Sequence, residues 1–238
     1  MNIISHISQG ATASVYKASW VNDTNIMIVA LKIIKDDQNG ILKEALGEMS
    51  LLKILKHPHI IKLHDVVLEK KRTILILDYS DMDLSYHIKH MPYSDLQYQD
   101  TYNAFMLQLC EAVAYCHEHY IIHCDIKPQN ILIKNNQVKL ADFGLSQKIS
   151  KKKSFNIVSL WYRAPEILLK EDYSYPIDVW SIGCVWSECL SGNVLYQGQS
   201  EVHQLELILK LHDESLQHLL KLDASERITC ADLIKTFK

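Results

Sequence analysis

This sequence predicts an α+β fold in two lobes, a small β-rich lobe with one helix ahead of a larger, mainly helical one. Three observations predict it. β-Branched runs crowd the start of the chain, a helical period takes over from Leu96, and residues 177–190 are apolar on nearly every side.

The elements follow in order. Val15-Tyr16-Lys17-Ala18 and the run from Ile26 to Ile34 are rich in strand formers. Residues 41–55 change to a helical period, with Leu42, Ala45, Met49, Leu52 and Leu55 on one face, and Pro58 closes the helix. Two more strands are expected near 62–69 and 73–78, and the lobes meet near residue 80. Beyond it Phe105, Leu109, Ala112, Val113 and Cys116 form one helix face. Val179, Trp180, Ile182, Val185, Trp186 and Leu190 predict a fully buried helix. A cleft between two lobes is a common place for a ligand.

Composition narrows the function classes. The 238 residues are 48% hydrophobic, enough for the core of one domain. Only 7 glycines and 5 prolines argue against long flexible linkers. The net charge of −3 gives no whole-chain attraction for nucleic acid, and no apolar run reaches a membrane-spanning length of about 18 residues. Direct nucleic-acid or membrane partners are therefore not expected. Met1 to His6 shows neither the basic region nor the apolar run of a signal peptide. Cys110, Cys116, Cys124, Cys184, Cys189 and Cys230 form no C-x-x-C pair, four lie in apolar helical stretches, and all are read as reduced thiols.

The chemistry begins at His123-Cys124-Asp125-Ile126-Lys127-Pro128-Gln129-Asn130, between an apolar pair and a strand-like run. Phosphoryl transfer needs a carboxylate for the attacking hydroxyl, a cation near the transferred phosphate and an oxygen ligand for magnesium. Asp125, Lys127 and Asn130 can supply these in turn; an ordinary polar turn is the bland alternative. Asp142-Phe143-Gly144 follows twelve residues after Asn130, behind the strand Val138 to Ala141. At a strand end Asp142 would give a hard cation a second protein oxygen. The tripeptide alone is weak evidence, and its distance from the first motif makes it strong.

Further on stand Leu160-Trp161-Tyr162-Arg163-Ala164-Pro165-Glu166 and Asp178-Val179-Trp180-Ser181-Ile182-Gly183. With these, and with His57-Pro58-His59-Ile60-Ile61-Lys62-Leu63, the chain resembles the protein kinases, and among them the cyclin-dependent kinases of the CMGC group, from about Ile4 to Phe237. The resemblance implies a single bilobal kinase domain over 1–238. Its N-lobe would cover about 1–79, its hinge about 78–82 and its C-lobe about 83–238, shortened near 200–227. It implies ATP and Mg2+ as cofactors. Asp125, Lys127 and Ser159 would be catalytic, and Asn130 and Asp142 would hold the metal. Ser159 is evenly weighed against an ordinary loop serine. The nucleotide would contact Ile7, Ser8, Gln9, Gly10, Ala11, Thr12, Ala13, Ser14, Val15, Lys32, Glu48, Asp78, Ser80 and Asp83. Lys32 would hold the phosphates and pair with Glu48, with Glu44 one turn earlier as the rival. Leu77 falls at the gatekeeper position, and Asp78, Tyr79 and Ser80 form the hinge. Glu166 and Arg227 match a structural ion pair rather than catalytic groups.

Three departures from the family stand out. The phosphate loop keeps only Gly10, with Ser8 and Ala13 where the family has glycine, and Thr12 replaces a regulatory tyrosine; a stiffer loop and weaker ATP binding are expected. The arginines that clamp a phosphorylated activation loop are matched by Gly47, Cys124 and Gln147. Phosphorylation of Ser154, after Lys151-Lys152-Lys153, is therefore not expected to be the main activating event. The insert between helices near 201–212 and 213–221 is almost missing.

Ala13-Ser14-Val15-Tyr16-Lys17-Ala18, Gly40-Ile41 with Ala45-Leu46, and Leu77-Asp78-Tyr79 with Asp83-Leu84 are similar to the cyclin-dependent-kinase-activating branch associated with transcription factor II H. That likeness implies a cyclin partner, activation loops of other kinases or the polymerase II tail as substrates, and a nuclear location, with the cytoplasm as the alternative. A cell-cycle kinase and, from another class, a pseudokinase scaffold are the alternatives. Intact Lys32, Asp125, Asn130 and Asp142 weigh against the scaffold.

Overall fold

The computed structural model describes the chain except residues 11–12, 23–24, 36–42, 70–71, 91–95, 150–154, 156, 212–215 and 238. Ala11, Thr12, Gly40, Ile41, Leu42, Lys151 to Lys153 and Ser154 thus lie outside the described residues, as does the side chain of Glu44.

The fold is mixed α+β, with a β-rich N-terminal region, a helical C-terminal region and seven α-helices among the described residues. It opens with β1 (Asn2–Gln9), β2 (Ala13–Asn22), β3 (Asn25–Lys35), α1 (Lys43–Ile54), β4 (Leu63–Glu69) and β5 (Arg72–Asp78). The strands form one antiparallel sheet in the order β1-β2-β3-β5-β4. Side chains alternate across a strand, so Ala30 and Lys32 share the face opposite Val29 and Leu31. The latter pair packs with Ala18, Ile74 and Ile76 in a small cluster of its own. The strand β1 is an addition to the sequence reading. Its register slips between Ile3 and Ser5 and again between His6 and Ser8, which erases the alternation that would announce it.

The chain continues through β6 (Met82–Asp83), α2 (Leu84–His90), α3 (Leu96–Glu118), β7 (Ile121–Ile122), β8 (Ile131–Lys134), β9 (Gln137–Leu140) and β10 (Gln147–Lys148). It ends with α4 (Pro165–Leu168), α5 (Pro176–Ser191), α6 (Glu201–Lys210) and α7 (Cys230–Thr236). Two small sheets, β10-β7 and β6-β8-β9, frame the loop from His123 to Asn130. Phe105, Leu109, Ala112, Val113 and Cys116 of α3 are all buried, in the large cluster that also takes in α1 and α5. Each such large side chain contributes about 1.5–3 kcal/mol on burial.

The segment after α1 is stitched to β9. Ile61 N–H donates to Leu140 O at 2.9 Å, Leu140 N–H to His59 O at 2.9 Å, and Lys139 Nζ to Pro58 O at 3.0 Å. These bonds fix the five-stranded sheet over the loop from His123 to Asn130.

The helix α5 needs Gly183, since a Cβ there would lie 2.7 Å from Leu220 Cδ2 and 3.0 Å from Leu219 Cβ. It stops at Gly192, whose left-handed φ of 72° lets its N–H cap Glu188 O. Trp186 and Leu190 are only half-buried rather than enclosed; Trp186 stacks on Phe237 at 5.5 Å. The helix expected near 213–221 is, over its described part, a turn closed by Leu219 and Leu220 N–H on Leu216 O. Those two leucines are the ones that pack on α5, and serving that contact takes only one turn. Among the described residues no helix is long and apolar enough to cross a membrane. All six cysteines are free and buried.

Candidate active site

A cavity of about 600 Å3 opens between the large sheet and the β6-β8-β9 sheet. Ile7, Ser8 and Val15 cover it, Lys32 and Glu48 stand at its back, Asp78 to Asp83 form one side, and Asn130, Leu132, Ala141 and Asp142 form its floor.

The sheet aims Lys32 inward. Its Nζ donates to Glu48 Oε1 at 2.9 Å and Oε2 at 2.7 Å, and to Asp142 Oδ1 at 2.9 Å. Helix α1 presents Glu48, buried to 2% exposure, and thereby settles which glutamate pairs with Lys32. Burial alone would lower the Lys32 ammonium, but the two carboxylates outweigh it and raise its pKa. Burial raises Glu48 in spite of Lys32, while Lys32 outweighs burial at Asp142 and lowers that carboxyl. Lys32 Nζ donates to both carboxylates, which favours the ion-paired state of the three groups.

Below lies a second, continuous network. Asp125 Oδ1 accepts the Ser159 hydroxyl at 2.9 Å and the Ser159 N–H at 3.1 Å. Asp125 Oδ2 accepts Lys127 Nζ at 2.8 Å and Asn130 Nδ2 at 3.0 Å. Lys127 Nζ also donates to Ser159 Oγ at 2.9 Å. Asn130 Nδ2 donates again to Asp125 O at 2.8 Å, so its oxygen is left for another partner. That oxygen and the side-chain-exposed Asp142 carboxylate, both on the cavity floor, fit a hard divalent cation.

The backbone here is strained and held. Cys124, Asp142 and Val158 have φ of 65°, 62° and 63°. Left-handed φ is uncommon outside glycine and an outlier for a β-branched residue. Asp178, 1% exposed, accepts Cys124 N–H at 3.0 Å, His123 N–H at 2.8 Å and His117 Nε2–H at 2.9 Å. Burial would raise its carboxyl, yet His117 and the other hydrogen bonds bring it below the ordinary value. His123 donates from Nε2 to Ala141 O at 3.1 Å and accepts Asp125 N–H on Nδ1 at 3.3 Å. Both bonds suit the neutral ring, and burial accordingly lowers its pKa. Arg163 holds Val158, with Nε and Nη2 at 3.1 and 2.8 Å from its carbonyl oxygen.

Of the expected nucleotide contacts, Ile7, Ser8, Val15, Lys32, Glu48, Asp78, Ser80 and Asp83 line the cavity, as do Asn130 and Asp142. Gln9, Gly10, Ala13 and Ser14 do not. They close the β1–β2 hairpin, where Gly10 N–H donates to Ala13 O at 2.8 Å, and Ala11 and Thr12 lie outside the described residues. No described residue of this hairpin has a left-handed φ, so Ser8 and Ala13 strain nothing. Asp125, Lys127 and Ser159 sit beside the cavity and join it through Asn130. Asp83 has a second task, since its Oδ1 caps α2 by accepting Tyr86 N–H at 2.8 Å. Asp78 is held by His64 Nε2–H at 2.7 Å and by Lys139 Nζ at 3.2 Å.

Sequence reasoning missed Ala30, Ile61, Tyr86, Gln129, Leu132 and Ala141 as cavity walls and Asp178 as the anchor of the turn before Asp125. Only Asp178 had a signal, an acidic residue at the start of an apolar helix. Away from the cavity, Glu166 and Arg227 form the expected ion pair at 2.6 and 2.8 Å, both buried. A family model described as "Protein kinase domain" matches residues 1–237.

Proposed function

The chain belongs to the protein kinase family, and from that premise we propose that it is a serine/threonine kinase of the cyclin-dependent type. It would act with a cyclin, in the nucleus, on activation loops of other kinases or on the polymerase II tail. The observation that carries the catalytic reading is the convergence of Lys32, Glu48, Asn130 and Asp142 on one cavity, with Asp125 bonded to its floor.

Protein kinases use ATP and Mg2+. When bound, they supply the phosphoryl group and a cation that neutralises its charge. Asp142 and the Asn130 oxygen would hold the metal, Lys32 the phosphates, and the backbone of Asp78 and Ser80 the adenine. Asp125 orients the substrate hydroxyl and takes its proton. Lys127, donating to both Asp125 and Ser159, keeps positive charge beside that carboxylate. Ser159 aims the carboxylate from a third side.

One observation supports the cyclin-dependent type. The Val158 carbonyl, next to Ser159, is turned onto Arg163 and so offers nothing to a substrate N–H. A substrate with proline after its phosphoacceptor lacks that N–H and loses nothing there.

The test is transfer of radiolabelled phosphate by purified protein, with and without a cyclin, to peptides carrying Ser-Pro or Ser-Ala. Transfer that prefers Ser-Pro, rises with the cyclin and vanishes in Asp125→Asn is expected. Absence of transfer under all conditions would leave the scaffold reading standing. Equal use of both peptides would remove the cyclin-dependent assignment.

A further inference from the structure

Gln147 lies outside the nucleotide cavity and outside the Asp125 cluster. Its place on β10, paired with Ile122 of β7, sets it beside the strained turn that leads into Asp125. Its amide nitrogen donates to the Tyr173 hydroxyl at 2.7 Å and to Cys124 Sγ at 3.4 Å. An amide nitrogen has two hydrogens and can make both bonds at once. The Cys124 thiol donates its own proton to Ile122 O at 3.6 Å, so the sulfur is the acceptor toward Gln147, which fixes the amide's orientation.

Cys124 is fully buried at φ 65°. Such a backbone costs about 1–3 kcal/mol and persists only where its surroundings over-determine it. Asp178 holds the Cys124 main chain from one side, and Gln147 holds its sulfur from the other. Tyr173 is nearly buried and meets the Phe155 ring edge-on at 5.9 Å. One side chain therefore joins the turn before Asp125, the first strand after Gly144 and the stretch beyond α4. Phe155, from the far half of the same segment, rests on the shared tyrosine. The three linked groups are a thiol, an amide and a phenol. Burial pushes the Cys124 thiol up, so the clasp carries no thiolate. A phosphate, with close to two negative charges, gains its ordering power from cations and finds none in this trio.

We propose that Gln147 is a positioning residue. Through Cys124 and Tyr173 it locks β10, and with it the Tyr173 ring that carries Phe155, onto the turn before Asp125 with neutral hydrogen bonds, so that the working geometry does not depend on an added phosphate. For its effect on turnover the proposal rests on the kinase reading above.

Two full-length variants test it. Gln147→Met keeps the length of the side chain and removes both bonds; Tyr173→Phe removes one and keeps the ring on Phe155. Tyr173→Phe is expected to lower kcat about five- to tenfold and Gln147→Met at least as much, with the KM for ATP within about threefold of wild type. Phosphatase-treated wild type is expected to keep its kcat. The proposal is overturned if kcat of Gln147→Met stays within about twofold of wild type, or if phosphatase abolishes turnover. Should wild type transfer no phosphate at all, the kinase reading fails, and amide hydrogen exchange decides the clasp. Faster exchange at Cys124, Asp125 and Gln147 in Gln147→Met supports it, and unchanged exchange overturns it.

Discussion

On the upper wall of the cleft, β1 is exposed along its whole length and turns into β2 through a hairpin with no left-handed position among its described residues. On the lower wall, Asp125 is tied by four donors, Cys124 and Asp142 are held at left-handed φ, and the buried Asp178 anchors two successive N–H groups. The upper wall would meet its ligand through main-chain groups, which any small residue leaves accessible. The lower wall must aim individual oxygens, and a small error there costs rate. Substitution is therefore tolerated where backbone does the binding and opposed where side-chain direction does it.

The largest effect should come from the lower wall. Asp125→Asn keeps the shape and removes the base, so kcat should fall about 10²- to 10⁴-fold with circular dichroism unchanged. At the back of the cavity, where β3 also contributes a side chain, Lys32→Met should likewise abolish turnover in a folded protein, and near-normal kinetics would show that the nucleotide site is misassigned. Away from the cleft, Arg227→Ala separates the fabric of the helical part from the chemistry. It strands Glu166, buried at 5% exposure, and should cost about 3–5 kcal/mol in a denaturant titration. Ser159→Ala removes one of the bonds that aim Asp125 and should lower kcat about tenfold, with the KM for ATP unmoved.

Acid should also act on the lower wall first. His123 is lowered by burial, so between its ordinary value of 6.5 and its folded value the unfolded chain binds a proton that the folded chain refuses. Stability is thus present above 6.5 and is lost as pH falls through that window, by about 1.4 kcal/mol per pH unit for one such group. His57 and His87 shift in the same direction, so His123→Leu should flatten the slope between pH 7.5 and 5.5 without abolishing it. The smallest effect belongs to the upper wall. Restoring glycine in Ser8→Gly and Ala13→Gly should change the KM for ATP by no more than about threefold, because neither position needs glycine's φ range. A large gain would erase the contrast between the walls.

What could be read in advance follows the same division. Lys127 and Asn130 stand within five residues of Asp125, so the group was visible as a local pattern, though by itself it could have been an ordinary polar turn. Asp142 was marked by the strand before it. The fold class was legible because two hydrophobic periods succeed each other along the chain. Ser159 reaches Asp125 across 34 residues and Asp178 reaches His123 across 55, and no local pattern encodes such a contact. Gln147 could be read only as a missing cation; its bonds to Cys124 and Tyr173 appear once β10 is laid against β7. The strand β1 hid behind two slips in its own pairing.

The six sealed thiols have a practical consequence. None is paired, and each is at most 1% exposed. A sulfhydryl reagent added to the intact molecule has nothing to modify until a helix or the catalytic turn opens. The pace of its consumption therefore clocks that opening, with no label added.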